Sequence, residues 1–416
     1  MRLSLAALVA LAALPAFAAD VPKFKTQEID TGLKIGYAVI TTDIDGDKKP
    51  DIVVVDQHKI VWYQNPGTPG AGWKKFTILD GKTRPDNVCV AAIDIDGDGL
   101  PELVVGAAWK PFDTANAALL VWLKRGKVAT DEWTMHELPC DEPCVHRVRC
   151  FDIDGDGKPE IVHVPLMGRG SSAKGLWTDG KPVRIVALKV PAKEPEKKEN
   201  WKPTVLSEEL NVCHNFALLG HSAAGGRAMT GVLVTSYDGV HVLRGDGTNW
   251  SVNKIGAGNQ DNPKGSRGAS EIKPGQVGKA ARVIATIEPW HGNQVVTYTP
   301  KPGTLQWERH VIDEQLRWGH AVWFADLDGD GADELVIGVR DDPNPKLGDT
   351  FKERRGVRVY KCTDGKGAKW DRTIIEGGGV AVEDLTVADL DGDGKPDIIA
   401  VGRATGNARI YWNQGK

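Results

Sequence analysis

Asp43-Ile44-Asp45-Gly46-Asp47-Lys48-Lys49-Pro50-Asp51 decides how this chain is read, because its pattern, Asp-x-Asp-Gly-Asp-x-x-x-(Asp/Glu), occurs five times between apolar strand-like runs. The carboxylates are Asp43, Asp45, Asp47 and Asp51; Asp94, Asp96, Asp98 and Glu102; Asp152, Asp154, Asp156 and Glu160; Asp326, Asp328, Asp330 and Glu334; and Asp389, Asp391, Asp393 and Asp397. Carboxylates at loop positions one, three and five point inward around a hard cation when glycine permits the tight wrap, and the last acid closes the shell. Oxygen-only ligands select Ca²⁺ or Mg²⁺ over zinc. The plainer alternative is an acidic turn that holds no ion. Five copies in one register favour ion loops that pin hairpins.

Two further repeats flank these loops. A Trp followed five residues later by an apolar residue occurs at Trp73, Trp133, Trp201, Trp250, Trp307 and Trp370, with a variant at Phe24. A short β-rich run recurs seven times, from Ile60-Val61-Trp62-Tyr63 to Arg409-Ile410-Tyr411-Trp412. Seven units of about four strands each predict an all-β, seven-bladed β-propeller over residues 19–416, as one domain. The last unit, from Gly379, has only three strands. The strand at Phe24 is expected to supply the fourth and close the ring, which leaves no open sheet edge.

Charge and termini narrow the function classes. With 52 Lys+Arg against 56 Asp+Glu, the formal charge is −4, which excludes a nucleic-acid binder acting through a general basic field. Arg2, the apolar run Leu3–Leu14 and the small residues up to Ala18 predict a signal peptide over 1–18, hence a secreted or periplasmic protein that is not membrane-bound after cleavage. In an oxidising compartment Cys140 and Cys144 are close enough for a local disulfide, with a small zinc site as the alternative. Cys89, Cys150, Cys213 and Cys362 read as small buried apolar residues.

The acidic repeats resemble the FG-GAP/VCBS repeats of propeller proteins. More narrowly, His146-Arg147-Val148-Arg149, Ile287-Glu288-Pro289-Trp290-His291-Gly292-Asn293 and Gly319-His320-Ala321 resemble the propeller of the aldos-2-ulose dehydratase family. That resemblance implies elimination of water from a keto-sugar with a zinc ion in the propeller.

The register of the repeats gives a site independently. The start of each innermost strand and the end of the next share one mouth of the ring, opposite the acidic loops. His146, His320 and Glu383 each stand six residues before a first loop Asp (Asp152, Asp326 and Asp389), and His214 stands six before Gly220 in a blade without the loop. His291 follows the end of a returning strand at the same mouth. Neutral imidazoles are good zinc ligands, and three leave a fourth position open. His214, His291 and His320 are therefore expected on a zinc or similar divalent metal, with His146 as acid/base. Arg340 and Arg403 are expected catalytic partners, since their planar forks suit oxyanions. Glu288, Trp290, Tyr237, His58 and Glu383 are expected to bind substrate at that mouth. Long connections at 107–118, 165–182 and 341–356 would form its walls.

These expectations amount to metal-assisted β-elimination on a keto-sugar or uronate by an exported carbohydrate lyase. Two alternatives remain open: a non-catalytic propeller that binds glycan or protein, and a hydrolase or uronate lyase using the same histidines without zinc.

Overall fold

Twenty-eight strands, among the described residues, sort into seven antiparallel sheets of four in a computed structural model. The structure describes residues 21–224, 227–278, 281–340 and 355–416. The segment read as a signal peptide and the greater part of the third long connection (341–354) lie outside them. Six sheets use four consecutive strands. The seventh joins β26 (Val382–Ala388), β27 (Asp397–Gly402) and β28 (Ala408–Asn413) to β1 (Phe24–Asp30), in the order β1-β28-β27-β26. The N-terminal strand thus closes the propeller, with Phe24 paired to Asn413 and Glu28 to Arg409. Side chains reinforce the closure: Arg409 Nε lies 2.8 Å from Glu28 Oε2, and Trp412 Nε1 donates to Gln27 Oε1 at 2.8 Å.

The Trp repeats open, or immediately precede, the outermost strands, as at β5 (Lys74–Asp80), β17 (Trp250–Gly256) and β25 (Trp370–Gly377). The second strands carry the core. Every residue of β3 (Asp51–Val55), β7 (Glu102–Ala107), β11 (Glu160–Pro165), β23 (Glu334–Val339) and β27 is buried. Both faces of such a strand are covered by neighbouring blades. It therefore reads as a continuous β-branched run rather than an alternating one.

Each acidic repeat forms a tight loop between first and second strands. Its glycine at position four (Gly46, Gly97, Gly155, Gly329, Gly392) takes φ between 74° and 82°, which a side chain would oppose. The closing acid turns inward and accepts from the backbone N–H of the buried aliphatic residue at position two: Asp51 from Ile44 at 2.9 Å, Glu102 from Ile95 at 2.8 Å, Glu334 from Leu327 at 2.9 Å. Asn65 and Asn413 donate across blade boundaries to the carbonyls of Leu390 and Leu327, each at 2.8 Å. The loops therefore form a belt that ties adjacent blades.

One expectation is corrected. All six cysteines are free. The Cys140 thiol faces the Glu142 carbonyl at 3.8 Å, while Cys144 Sγ turns to the Asp113 carbonyl at 3.0 Å. The two sulfurs point to different partners, and proximity in sequence does not set the approach a disulfide requires.

Candidate active site at the axial funnel

The seven innermost strands are β2 (Ala38–Thr42), β6 (Cys89–Ile93), β10 (Val145–Phe151), β14 (Phe216–Ala224), β18 (Ile272–Val277), β22 (Gly319–Ala325) and β26. At the end away from the acidic loops, one ring of equivalent positions holds Tyr37, Val88, His146, His214, Glu271, His320 and Glu383. A strand aims residues separated by two at the same face, so a shared register becomes a shared direction only once the blades are arranged around an axis.

The structure brings four imidazoles together there. Ring centroids of His214 lie 4.4 Å from His146, 4.6 Å from His291 and 5.4 Å from His320. His214 Nε2 and His291 Nε2 are 2.7 Å apart. One nitrogen each of His214, His291 and His320 lies within 4.8 Å of the others. The second nitrogens of His320 and His214 face oxygens. His320 Nδ1 is 2.5 Å from the Glu383 carbonyl oxygen, which leaves Nε2 for the cluster. His214 Nδ1 lies 2.8 Å from Glu271 Oε1, out of line for a straight hydrogen bond. Burial holds all four imidazoles well below the ordinary histidine pKa, so they are neutral near pH 7.

His146 is set apart by its partners. Its Nδ1 faces the His214 carbonyl at 3.0 Å and so carries the proton; its Nε2 faces Arg147 Nη1 at 3.2 Å and so accepts. The base expected at this position is therefore capped by a guanidinium, a feature the spacing alone does not reveal. Arg147 Nη2 also reaches Glu271 Oε1 at 3.4 Å.

Arg340 and Arg403 converge on one carboxylate. Arg340 Nη1 lies 2.9 Å from Glu383 Oε2, and Arg403 Nη1 lies 2.9 Å from Glu383 Oε1. Glu383 thus orients both forks, and each lies over an aromatic ring: Arg340 over Trp318 at 5.0 Å, Arg403 over Tyr37 at 5.3 Å. Trp290 stacks on His291 at 4.1 Å and meets Tyr237 edge-on at 6.1 Å. Tyr237 packs with Cys144, Leu166, Met167 and Val212, and with Trp109 and Trp177 from the long connections at 107–118 and 165–182. Those two connections are part of the mouth's wall, as expected.

Two expected residues fall elsewhere. Glu288 is fully buried, accepting from Tyr298 Oη at 2.7 Å, Thr286 Oγ1 at 2.9 Å and Arg309 Nε at 2.8 Å. It ends β19 (Ala281–Glu288), and the alternation of that strand sends its side chain toward the outer strands rather than into the funnel. His58 is exposed in the turn between β3 and β4 (Lys59–Gln64), outside the ring of imidazoles. Glu271 was missed. It stands six residues before Val277, the first-Asp place of a blade without an acidic loop, so the register that singles out His214 could have found it.

The fold and site define an all-β propeller with a histidine-lined axial funnel. Comparison with known proteins places it more narrowly. Residues 118–301 match the family model of the aldos-2-ulose dehydratase β-propeller domain, and residues 43–105 match that of an FG-GAP-like repeat. The chain is 26% identical over 272 residues to aldos-2-ulose dehydratase of Phanerodontia chrysosporium, covering 61% of this chain and 28% of that relative. It is thus a seven-bladed propeller that carries an FG-GAP-like repeat and resembles the propeller domain of aldos-2-ulose dehydratase. His146, His214, Glu271 and His291 lie inside the matched segment, whereas His320 lies beyond it. Among solved structures, BBS1N in complex with ARL6DN, soaked with mercury or with lead, matches at TM-scores of 0.53 and 0.51. Identities are 13% and 12%, with 94% of this chain and 98% and 96% of those chains covered, which speaks for the fold alone.

Proposed function

We propose that this protein is a carbohydrate-active lyase that eliminates water or an alkoxide from a keto-sugar or uronate in the histidine funnel. The observation that carries this reading is the gathering of His146, His214, His291 and His320 at one mouth, within a chain similar to a dehydratase. His214, His291 and His320 would hold a divalent transition metal such as zinc. The donor set fits: three neutral imidazoles converge, and His214 and His320 have their second nitrogens turned to oxygens that fix ring orientation. When bound, such an ion polarises a carbonyl or carboxylate oxygen and acidifies the adjacent C–H.

The protein's own groups do the rest. His146 takes the proton at Nε2 once Arg147 swings toward Glu271, and returns it to the departing oxygen. Its depressed basicity keeps it unprotonated, and so ready to accept, down to pH values below the usual histidine range. Arg340 and Arg403, aligned by Glu383, present donors to substrate oxygens, and Trp290 offers an apolar face to the sugar ring. Replacing His146 with alanine is expected to lower turnover by about 10²–10⁴-fold while the metal content stays unchanged. Assay of keto-sugars and uronates by the ultraviolet absorbance of a new C=C tests the reaction class. Hydrolysis products without that absorbance would replace elimination with the hydrolase reading. Full activity of a protein stripped of zinc would remove the metal from the scheme.

We infer also that the acidic loops bind Ca²⁺ or Mg²⁺ as structural ions. In two of them one lysine bridges two loop aspartates: Lys189 Nζ lies 2.6 Å from Asp154 and 2.8 Å from Asp156, and Lys361 bonds Asp328 and sits 2.9 Å from Asp330. A cation-attracting nest fits this stand-in, which an ion must displace. Burial raises Asp51, Glu102, Glu334 and Asp397 to about 7. A carboxylate raised on folding adds stability below its unfolded pKa of about 4, and that contribution is lost as pH rises through 7. The ion-free protein is therefore expected to lose thermal stability between pH 5 and 8, by about 4–8 °C for a few kcal/mol in a chain of this size, and millimolar Ca²⁺ to restore it. Melting curves with and without chelator check this; a midpoint indifferent to Ca²⁺ at pH 8 would leave the loops as plain acidic turns.

A further inference from the structure

Beneath the histidine mouth the axis does not end. A small cavity of about 70 Å³ lies between Arg147, Asn215, Glu271 and Asp384, and below it opens a funnel of about 610 Å³ at the rim of the acidic loops. All seven innermost strands contribute to this lower funnel. Its walls are apolar and aromatic, with Ile40, Val90, Phe151, Leu218, Trp323 and Phe324 prominent. The two charged residues among its lining are both cations, Arg149 and Lys273.

Those cations are built in rather than displayed on the surface. Arg149 is anchored by its Nε to the Phe216 carbonyl at 2.8 Å and by Nη2 to Asn215 Oδ1 at 2.9 Å. Lys273 Nζ lies 4.0 Å from the centroid of the Trp323 ring, and no carboxylate among the described residues pairs with it. Two acids, Glu271 and Asp384, line the small cavity together with Arg149 and Lys273, and each has other partners. Glu271 serves Arg147, Asn215 and His214, and Asp384 Oδ2 accepts from the Val39 N–H at 3.1 Å. In the axial layer three cations (Arg147, Arg149, Lys273) face two acids (Glu271, Asp384), and the excess positive charge points down. Burial pushes the Lys273 amine well below its ordinary pKa, a strain that a neighbouring anion relieves.

We propose that this lower funnel is a second ligand site, separate from the histidine mouth, for a small organic carboxylate with an apolar or aromatic body. The carboxylate would lie between Arg149 and Lys273, and the body against Trp323, Phe324 and Phe151. An anion is favoured because the two charged groups lining the lower funnel are Arg149 and Lys273, and a bound carboxylate stabilises the charged form of the buried Lys273. An apolar body is required because a fully hydrated anion would leave the aromatic walls wet. The shape favours a compact ring or short chain, since pockets of a few hundred Å³ enclose ligands of that size.

Benzoate, titrated into the full calcium-loaded protein and followed by tryptophan fluorescence and calorimetry, tests the site. Saturable binding is expected, with benzamide, the neutral counterpart, at least about tenfold weaker, the cost of one lost charge-assisted contact. Lys273→Gln should weaken benzoate by about tenfold and Lys273→Arg should retain it, a pair that separates lost charge from lost folding. His291→Ala, at the opposite mouth, should leave the affinity within about twofold. Equal binding of benzamide, an unchanged Lys273→Gln, or loss of binding in His291→Ala would each overturn the proposal, the last by assigning the carboxylate to the histidine mouth. Absence of saturable benzoate binding would do so too. Apart from the His291→Ala outcome, none of these results bears on the lyase reading, whose assays use the other end of the axis.

Discussion

Replacing His320 with alanine is expected, on the proposed lyase reading, to abolish transition-metal binding in the upper funnel and lower turnover by about 10³-fold or more, equivalent to about 4 kcal/mol of transition-state stabilisation. The geometry explains why this position should be so costly. His320 Nδ1 is fixed on the Glu383 carbonyl, and its ring centroid lies 4.8 Å from that of His291 and 5.4 Å from that of His214. Two imidazoles then remain where three converge, and neither Trp290 nor Trp318 supplies a donor of metal-binding kind. Metal analysis of the purified variant, beside a turnover assay, reads both effects. The contrast with His146→Ala is diagnostic, since that variant should keep its metal. His310 offers a control: it bonds Thr299 Oγ1 at 3.0 Å on an outer strand, and its loss should change neither readout. A His320→Ala protein with full zinc and full activity would remove His320 from the metal site, whereas an unsubstituted protein that binds no transition metal and turns over neither keto-sugar nor uronate would return the chain to the non-catalytic reading, a scaffold that binds glycan or protein.

Replacing Glu383 with alanine is expected to cost about 3–5 kcal/mol of folding stability, the usual penalty for leaving a buried charge without its partner. The side chains of Glu383 and Arg340 are 5% and 9% exposed, whereas that of Arg403 is 37% exposed. Arg403 can turn to water when the carboxylate goes; Arg340, held against Trp318, cannot. A domain of ordinary stability has only about 5–15 kcal/mol to lose, so the variant should unfold at markedly lower urea. A midpoint shift corresponding to less than about 1 kcal/mol would show that Glu383 is not the hub of this clamp. Any effect on substrate affinity should be measured at a temperature where the variant is still folded, because Arg340 and Arg403 lose their alignment together.

How much of this was readable in advance can be judged residue by residue. The spacing of six between His146 and Asp152, and between His320 and Asp326, placed these side chains at one end of their strands. The same rule, applied through Gly220, placed His214. It was not carried to Val277, and Glu271 was missed because no acid marks that loop. Glu288 shows the converse failure. Its position at the end of a returning strand was right, but which face of the strand it takes depends on the pairing with β20 (Gln294–Pro300), where Glu288 opposes Gln294. His58 sits in the turn between β3 and β4, and that turn leads its side chain out to solvent. The cap on His146 by Arg147, an adjacent residue, lies in neither spacing nor repeat.

The order of the chain by itself determined the seven-fold repeat, the acidic loops and the strand that closes the ring. Each is a local pattern: alternation, a glycine where φ must be positive, and carboxylates at fixed intervals. Tertiary structure alone decided which side chains meet across the axis. Residues more than a hundred positions apart become neighbours only when the blades are packed in a circle, and the tilt and register of each strand then set whether a ring nitrogen faces a histidine, a carbonyl or a guanidinium. The two cationic groups of the lower funnel, drawn from β10 and β18, belong to this second kind of information, as does their meeting with Glu271 and Asp384 around one small axial cavity.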